Sequence, residues 1–118
     1  MHLAWERLAG SVHRCRLPFC DVTIAYLGPG HTASDLVVVA AGADEGERVV
    51  VFTGDLVEES ADPAIDGDSD VAAWPATLDR LLAVGGADAI YVPGHGNVVD
   101  AGFVRRQRDW LASRAAAP

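Results

Sequence analysis

The sequence is poor in positive charge. Arginine and lysine together number 9 against 17 aspartate and glutamate, for a formal net charge of −8 and a sequence pI near 4.7. A field of that sign repels phosphate backbones and anionic lipid, so no nucleic acid and no membrane partner is expected. The one basic cluster, Arg105, Arg106 and Arg108, reads first as the solvated face of a terminal helix and only second as an anion site. Long hydrophobic runs are missing too: Leu36 to Ala43 is followed at once by Asp44, Glu45 and Gly46, well short of a membrane span. The opening MHLAWERLAGSVHRC carries Glu6 and Arg7 where a signal peptide needs an unbroken apolar stretch, and a soluble cytoplasmic chain is the expectation. Cysteine is scarce. Cys15 and Cys20 form a C-x4-C pair open to three readings: a disulfide, two metal ligands or inert thiols. Two cysteines cannot close a four-ligand zinc site and no His-x3-His follows, which puts inert thiols first.

What is there supports a folded α/β domain. The chain has 118 residues, half of them hydrophobic, enough for a core and sized for a single domain over 1–118. After an opening that resists classification, DVTIAYL (Asp21 to Leu27) alternates apolar with small or polar residues and stops at Gly28-Pro29-Gly30, a strand running into a turn. Leu36 to Ala41 and Arg48 to Thr53 are apolar runs joined by AGADEGE, a hairpin; their lack of polar alternation predicts burial on both faces. Glu58 to Asp70 is an acidic surface loop. Val71, Trp74, Leu78, Leu81 and Leu82 then fall at helical spacing, with Asp70 as the cap, Pro75 in the first turn and Gly85 as the stop. Ala87 to Val92 reads as a strand ending in Pro93-Gly94-His95-Gly96, and Ala101 to Ala115 as an amphipathic closing helix striped by Phe103, Val104, Trp110 and Leu111. The predicted order is β-turn-ββ-loop-α-β-turn-α, a layered α/β arrangement.

Three positions repeat one pattern. His31, Asp55 and His95 each follow a predicted strand and sit in a turn rich in glycine or proline. Strand ends of open α/β sheets are where ligands collect, and turn glycines leave a side chain exposed in the cleft. Each residue alone has a plain structural account, the aspartate as an Asx turn and a histidine as a surface group. Together, two imidazoles and a carboxylate form a zinc-type ligand set, one short of a closed four-coordinate site.

The segments GPGHTASD, FTGDLVEE and YVPGHGNVV, in this order, resemble the later metal-binding motifs of the metallo-β-lactamase-fold hydrolases. The likeness runs through VAAWPATLDRLLAV and RQRDWL and spans roughly residues 22–111. It implies the C-terminal half of an αββα sandwich whose complete site holds two zinc ions at a sheet edge. Position by position, it makes His31 a ligand of the first metal and His95 a ligand of the second. Asp55 becomes the catalytic carboxylate that bridges them, with hydroxide held between the ions attacking a small-molecule substrate. In that picture Asp35, Thr32 and Asn97 either orient ligands from behind or serve only as turn hydrogen bonds.

The family's His-x-His-x-Asp-His loop does not occur in this sequence. His2, His13, Cys15, Cys20 and Asp21, which lie where it belongs, have the wrong spacing. Each metal is then left with two protein ligands, so tightly held zinc is expected at under one equivalent. The sheet's inner face, rich in Val37 to Val39 and Val49 to Phe52, would lack its cover, which predicts self-association or pairing with a missing N-terminal half. Two functions follow: a truncated zinc-dependent hydrolase completed by that other half, or a non-catalytic remnant or interaction module. An in-frame His-x-His-x-Asp-His in the nucleotides ahead of Met1 favours the first, and a stop codon there the second.

Overall fold

The computed structural model describes residues 4–42, 44 and 46–116. His2 lies outside the described residues. The elements run β1 (Trp5–Ala9), β2 (Val12–Arg16), β3 (Cys20–Tyr26), β4 (Leu36–Gly42), β5 (Val50–Glu58), α1 (Trp74–Gly85), β6 (Ile90–His95) and α2 (Ala101–Ala115). The strands form one sheet in sequence order, antiparallel from β1 to β5, with β6 added parallel to β5 through the α1 crossover. A parallel neighbour needs such a crossover, because a tight turn can only reverse the chain. No helix among the described residues is long and apolar enough to cross a membrane.

The unclassified opening is a hairpin, turned at Gly10 with φ of +53° and closed by a cross-strand ion pair of Arg14 with Glu6. The guanidinium's hydrogen bonds hold the Glu6 carboxyl below its ordinary pKa. Its apolar residues are too few and too interrupted by Arg7, Arg14 and Arg16 to show a period.

The expectation that the β4–β5 pair is buried on both faces is overturned. Val37, Val39 and Val51 are sealed, while Leu36 is 56% exposed and Phe52 46%. Residues paired across the strands, Ile24 with Val38 and Val38 with Phe52, share the open face. The helices cover the other face only. Gly85 of α1 comes so close to Val51 and Tyr91 that an added Cβ would lie 2.9 Å from the Val51 methyl. Tyr91 donates its hydroxyl proton to the Gly86 carbonyl at 2.8 Å, and burial raises the phenol's pKa.

Between helices and sheet lies one core, built around Trp74, Leu78, Leu81, Val104 and Leu111 against Val37, Val51, Leu56 and Tyr91. Deep within it the Leu56 carbonyl accepts from Trp74 Nε1 at 3.1 Å and Gln107 Nε2 at 2.7 Å. Those two bonds pin β5 to both helices, and a buried carbonyl without them would cost about 1–3 kcal/mol. Helix α1 begins after the predicted cap: Ala73 is its N-cap, and Asp70 Oδ1 accepts from the Ala73 amide to close the turn in front of it. Helix α2 has the expected bounds, capped by Asp100 accepting from the Phe103 amide at 2.9 Å.

Candidate metal site

Three segments meet at the edge where β5 and β6 end. The first is the loop from Tyr26 to Leu36, shaped by close packing on α1. Gly28 has φ of +136°, and a Cβ there would lie 2.5 Å from Thr77 Oγ1, the hydroxyl that donates to the Pro29 carbonyl at 2.7 Å. A Cβ on Gly30 would strike Leu56 and Trp74. Glycines are needed here for approach as much as for turning. The loop leaves His31 largely buried, its ring edge-on to Trp74 at 6.2 Å.

The second segment is the end of β5. Asp55 does not follow the strand in a turn, as expected, but lies inside it, because Gly54 takes φ of +54° and the strand continues past it as a bulge. Gly54 pairs with Pro93 and Glu58 with His95, so β5 spends more residues than β6 over the same length. Strict alternation fails, Leu56 and Val57 are both buried, and Asp55 and Glu58 end on the same side of the strand. The third segment is β6, which runs on through the predicted turn so that His95 is its last residue. Gly94 has no side chain where Asp55 Oδ1 lies: an added Cβ would sit 2.1 Å from that oxygen.

The sequence-predicted residues are thereby gathered. Asp55 Oδ1 is 3.0 Å from His95 Nδ1, and its other oxygen, Oδ2, is 4.0 Å from His31 Nε2. One carboxylate faces both imidazoles. Behind His31 stands Asp35, with Oδ1 3.6 Å from His31 Nδ1, just beyond hydrogen-bond reach; that buried nitrogen has no partner. Thr32 fixes Asp35 through its amide at 2.7 Å and its hydroxyl at 3.0 Å. A carboxylate on the far side of an imidazole is the arrangement that turns the opposite nitrogen toward a cation. Asn97 is not part of this shell; its amide and side chain both donate to Glu59 Oε1.

Glu58 is the site residue that sequence reasoning missed. Its Oε2 lies 3.4 Å from His95 Nδ1, and Asp55, Glu58 and His95 each bring a ligand atom to within 4.8 Å of the others. On an ordinary strand, residues three apart point to opposite faces, which hides the pair from a sequence pattern. The two thiols, Cys15 and Cys20, are free and lie on β2 and at the start of β3, away from this edge.

The donor set fits a divalent cation: an imidazole nitrogen and carboxylate oxygens converge on one point at the strand ends. No protein-family model matches the chain. Over 74 residues it is 36% identical to metallo-beta-lactamase type 2 of Bacteroides fragilis, covering 61% of this chain and 28% of that protein. An uncharacterized protein of Mycobacterium tuberculosis is 33% identical over 85 residues, 70% of this chain and 38% of that one. The metallo-beta-lactamase from Pontibacter korlensis superposes with a TM-score of 0.70 at 22% identity, over 88% of this chain and 47% of that one. VMB-1 does so with a TM-score of 0.65 at 25% identity, over 80% and 42%.

This chain carries part of a metallo-β-lactamase fold. It spans about a third of the length of the curated relatives it matches, and under half of these solved chains. The expected α/β half of a sandwich is the architecture observed: one sheet, helices on one face and the other face open. At the edge of that sheet Asp55 is partly exposed.

Proposed function

We propose that this chain supplies part of the metal centre of a zinc-dependent hydrolase of the metallo-β-lactamase superfamily. The observation that carries the reading is Asp55, which turns one oxygen toward His95 and the other toward His31. Asp55 with His95 would hold one metal, and Asp55 with His31 another. Bound there, zinc supplies Lewis acidity and makes water a usable nucleophile near neutral pH. The chain's own residues do the positioning. Asp35 puts a carboxylate behind His31, Gly94 leaves room for the Asp55 carboxylate, and the Leu56 carbonyl, tied to both helices, keeps the strand beneath Asp55 from shifting.

The partner in this reading is the other half of the sandwich, which would cover the open face around Phe52, Val38 and Leu36. The solved relatives are more than twice the length of the matched portion, and the excess is enough for such a cover. The substrate is a small molecule. The acidic segment after Glu58 packs against the His31 loop, with Ser69 Oγ donating to the His31 carbonyl at 2.9 Å and the Asp70 amide to Gly30 at 2.8 Å. Its charge disfavours a highly anionic substrate. A cytoplasmic setting accords with two thiols left unpaired.

Asp55→Asn separates this reading from a non-catalytic interaction module, which the exposure of Leu36 and Phe52 favours. The chain alone should hydrolyse generic ester and lactam substrates little or not at all. Mixed with a separately expressed half bearing His-x-His-x-Asp-His, it should gain zinc-dependent turnover that Asp55→Asn abolishes. Stable pairing of the halves with zinc bound and no turnover would support the interaction module instead.

A further inference from the structure

We propose that Glu58 is a metal ligand, so that Asp55, Glu58 and His95 together hold one divalent cation on this chain alone. The proposal rests on the zinc reading above and adds a residue to it. Ligand atoms each about 2.0–2.1 Å from a tetrahedral ion lie about 3.3–3.4 Å from one another. His95 Nδ1 stands 3.0 Å from Asp55 Oδ1 and 3.4 Å from Glu58 Oε2, close to that spacing. His31 Nε2, 4.0 Å from the opposite oxygen of Asp55, belongs to a separate position.

The Glu58 carboxylate is prepared for the task. Oε1 accepts the Ser60 hydroxyl at 2.6 Å, which leaves Oε2 directed at His95. The backbone beneath is held on two sides, by the Glu58 amide donating to Gln107 Oε1 at 3.0 Å and the Glu59 amide donating to the His95 carbonyl at 3.2 Å. The side chain is only 13% exposed, and among the described residues the ion pairs of Asp55 and Glu58 run to histidines alone. Two carboxylates directed at one imidazole repel one another, and a cation between them would offset that repulsion. Gly94 adds an independent observation: the neighbouring strand is bare where Asp55 Oδ1 turns into the cluster. The ligand count for one ion thus rises from two to three, which raises the expected tight binding from under one equivalent to one.

The test is zinc titration of the full chain in competition with a chromogenic chelator, with the visible spectrum of the Co²⁺-loaded protein as a second readout. Glu58→Gln keeps an acceptor for Ser60 and removes the charged ligand atom. Loss of an outer partner alone weakens metal affinity about 10–100-fold, so loss of a ligand should weaken zinc at least tenfold. The cobalt band should change with it. Glu59→Gln, which removes the adjacent carboxylate bonded to Asn97, should stay within about twofold of the parent. Should circular dichroism show Glu58→Gln unfolded, Glu58→Asp, with its carboxylate drawn back by one methylene, replaces it. Unchanged zinc affinity in a folded Glu58 variant, with binding lost in Asp55→Asn, would overturn the role of Glu58 and leave the zinc reading standing. A parent chain that binds no zinc would overturn both.

Discussion

Val51 and Phe52 are adjacent in β5, yet one is sealed beneath the helices and the other is nearly half exposed. The same contrast runs across the sheet, with Val37, Val39 and Tyr91 on one side and Leu36, Val38 and Phe52 on the other. The covered face has everything a small domain needs: indole, leucines and valines in contact, and its buried carbonyl satisfied. The open face has comparable residues and no cover. Composition alone therefore does not say which face is a core; the topology of the helices does. The metal edge lies where the two faces meet. It inherits rigidity from the covered side and incompleteness from the open one.

The sharpest way to break the contrast is on the covered face. Trp74→Ala removes the largest sealed side chain and the donor to Leu56, and should cost about 3–5 kcal/mol in a denaturant melt. A cost under 1 kcal/mol would show that the helices do not seal the sheet. Next comes Gly94→Ala at the edge. Its methyl meets Asp55 Oδ1 and the backbone of Gly54, so about 1–3 kcal/mol should be lost along with most of the zinc affinity. Affinity unchanged in calorimetric titration would mean that Asp55 can hold the ion from another position.

On the open face the expected effects are smaller. Phe52→Ser should change stability by less than about 1 kcal/mol while lowering self-association in sedimentation velocity. A destabilisation like that of Trp74→Ala would reveal a cover already in place. Smallest of all, His31→Ala and His95→Ala should each cost less than about 1 kcal/mol in the absence of metal, since neither is part of the hydrophobic core. A loss of several kcal/mol in either would make that histidine structural.

Much of this arrangement was legible in the residues. The Gly-Pro-Gly and Pro-Gly sequences marked His31 and His95, and α2 announced itself through the stripe of Phe103, Val104, Trp110 and Leu111. The hairpin of β4 and β5 followed from two β-branched runs about a glycine-rich joint. Three things were not legible. Sidedness in β4 and β5 was hidden because an unbroken run of valines has no alternation to read. The β1–β2 hairpin was hidden because charged residues interrupt its apolar ones and β2 is held by pairing to β3. Glu58 was hidden because its partnership with Asp55 depends on the positive φ of Gly54 and on a bulge against β6, a relation between distant segments.

The central question is whether this edge of the sheet is a metal site. The most direct measurement is the zinc content and affinity of the purified 118-residue chain, by elemental analysis and competitive titration. One ion per chain, lost in Asp55→Asn and in His95→Ala, is the predicted result. No zinc at any reasonable concentration, or binding that survives Asp55→Asn, would contradict it.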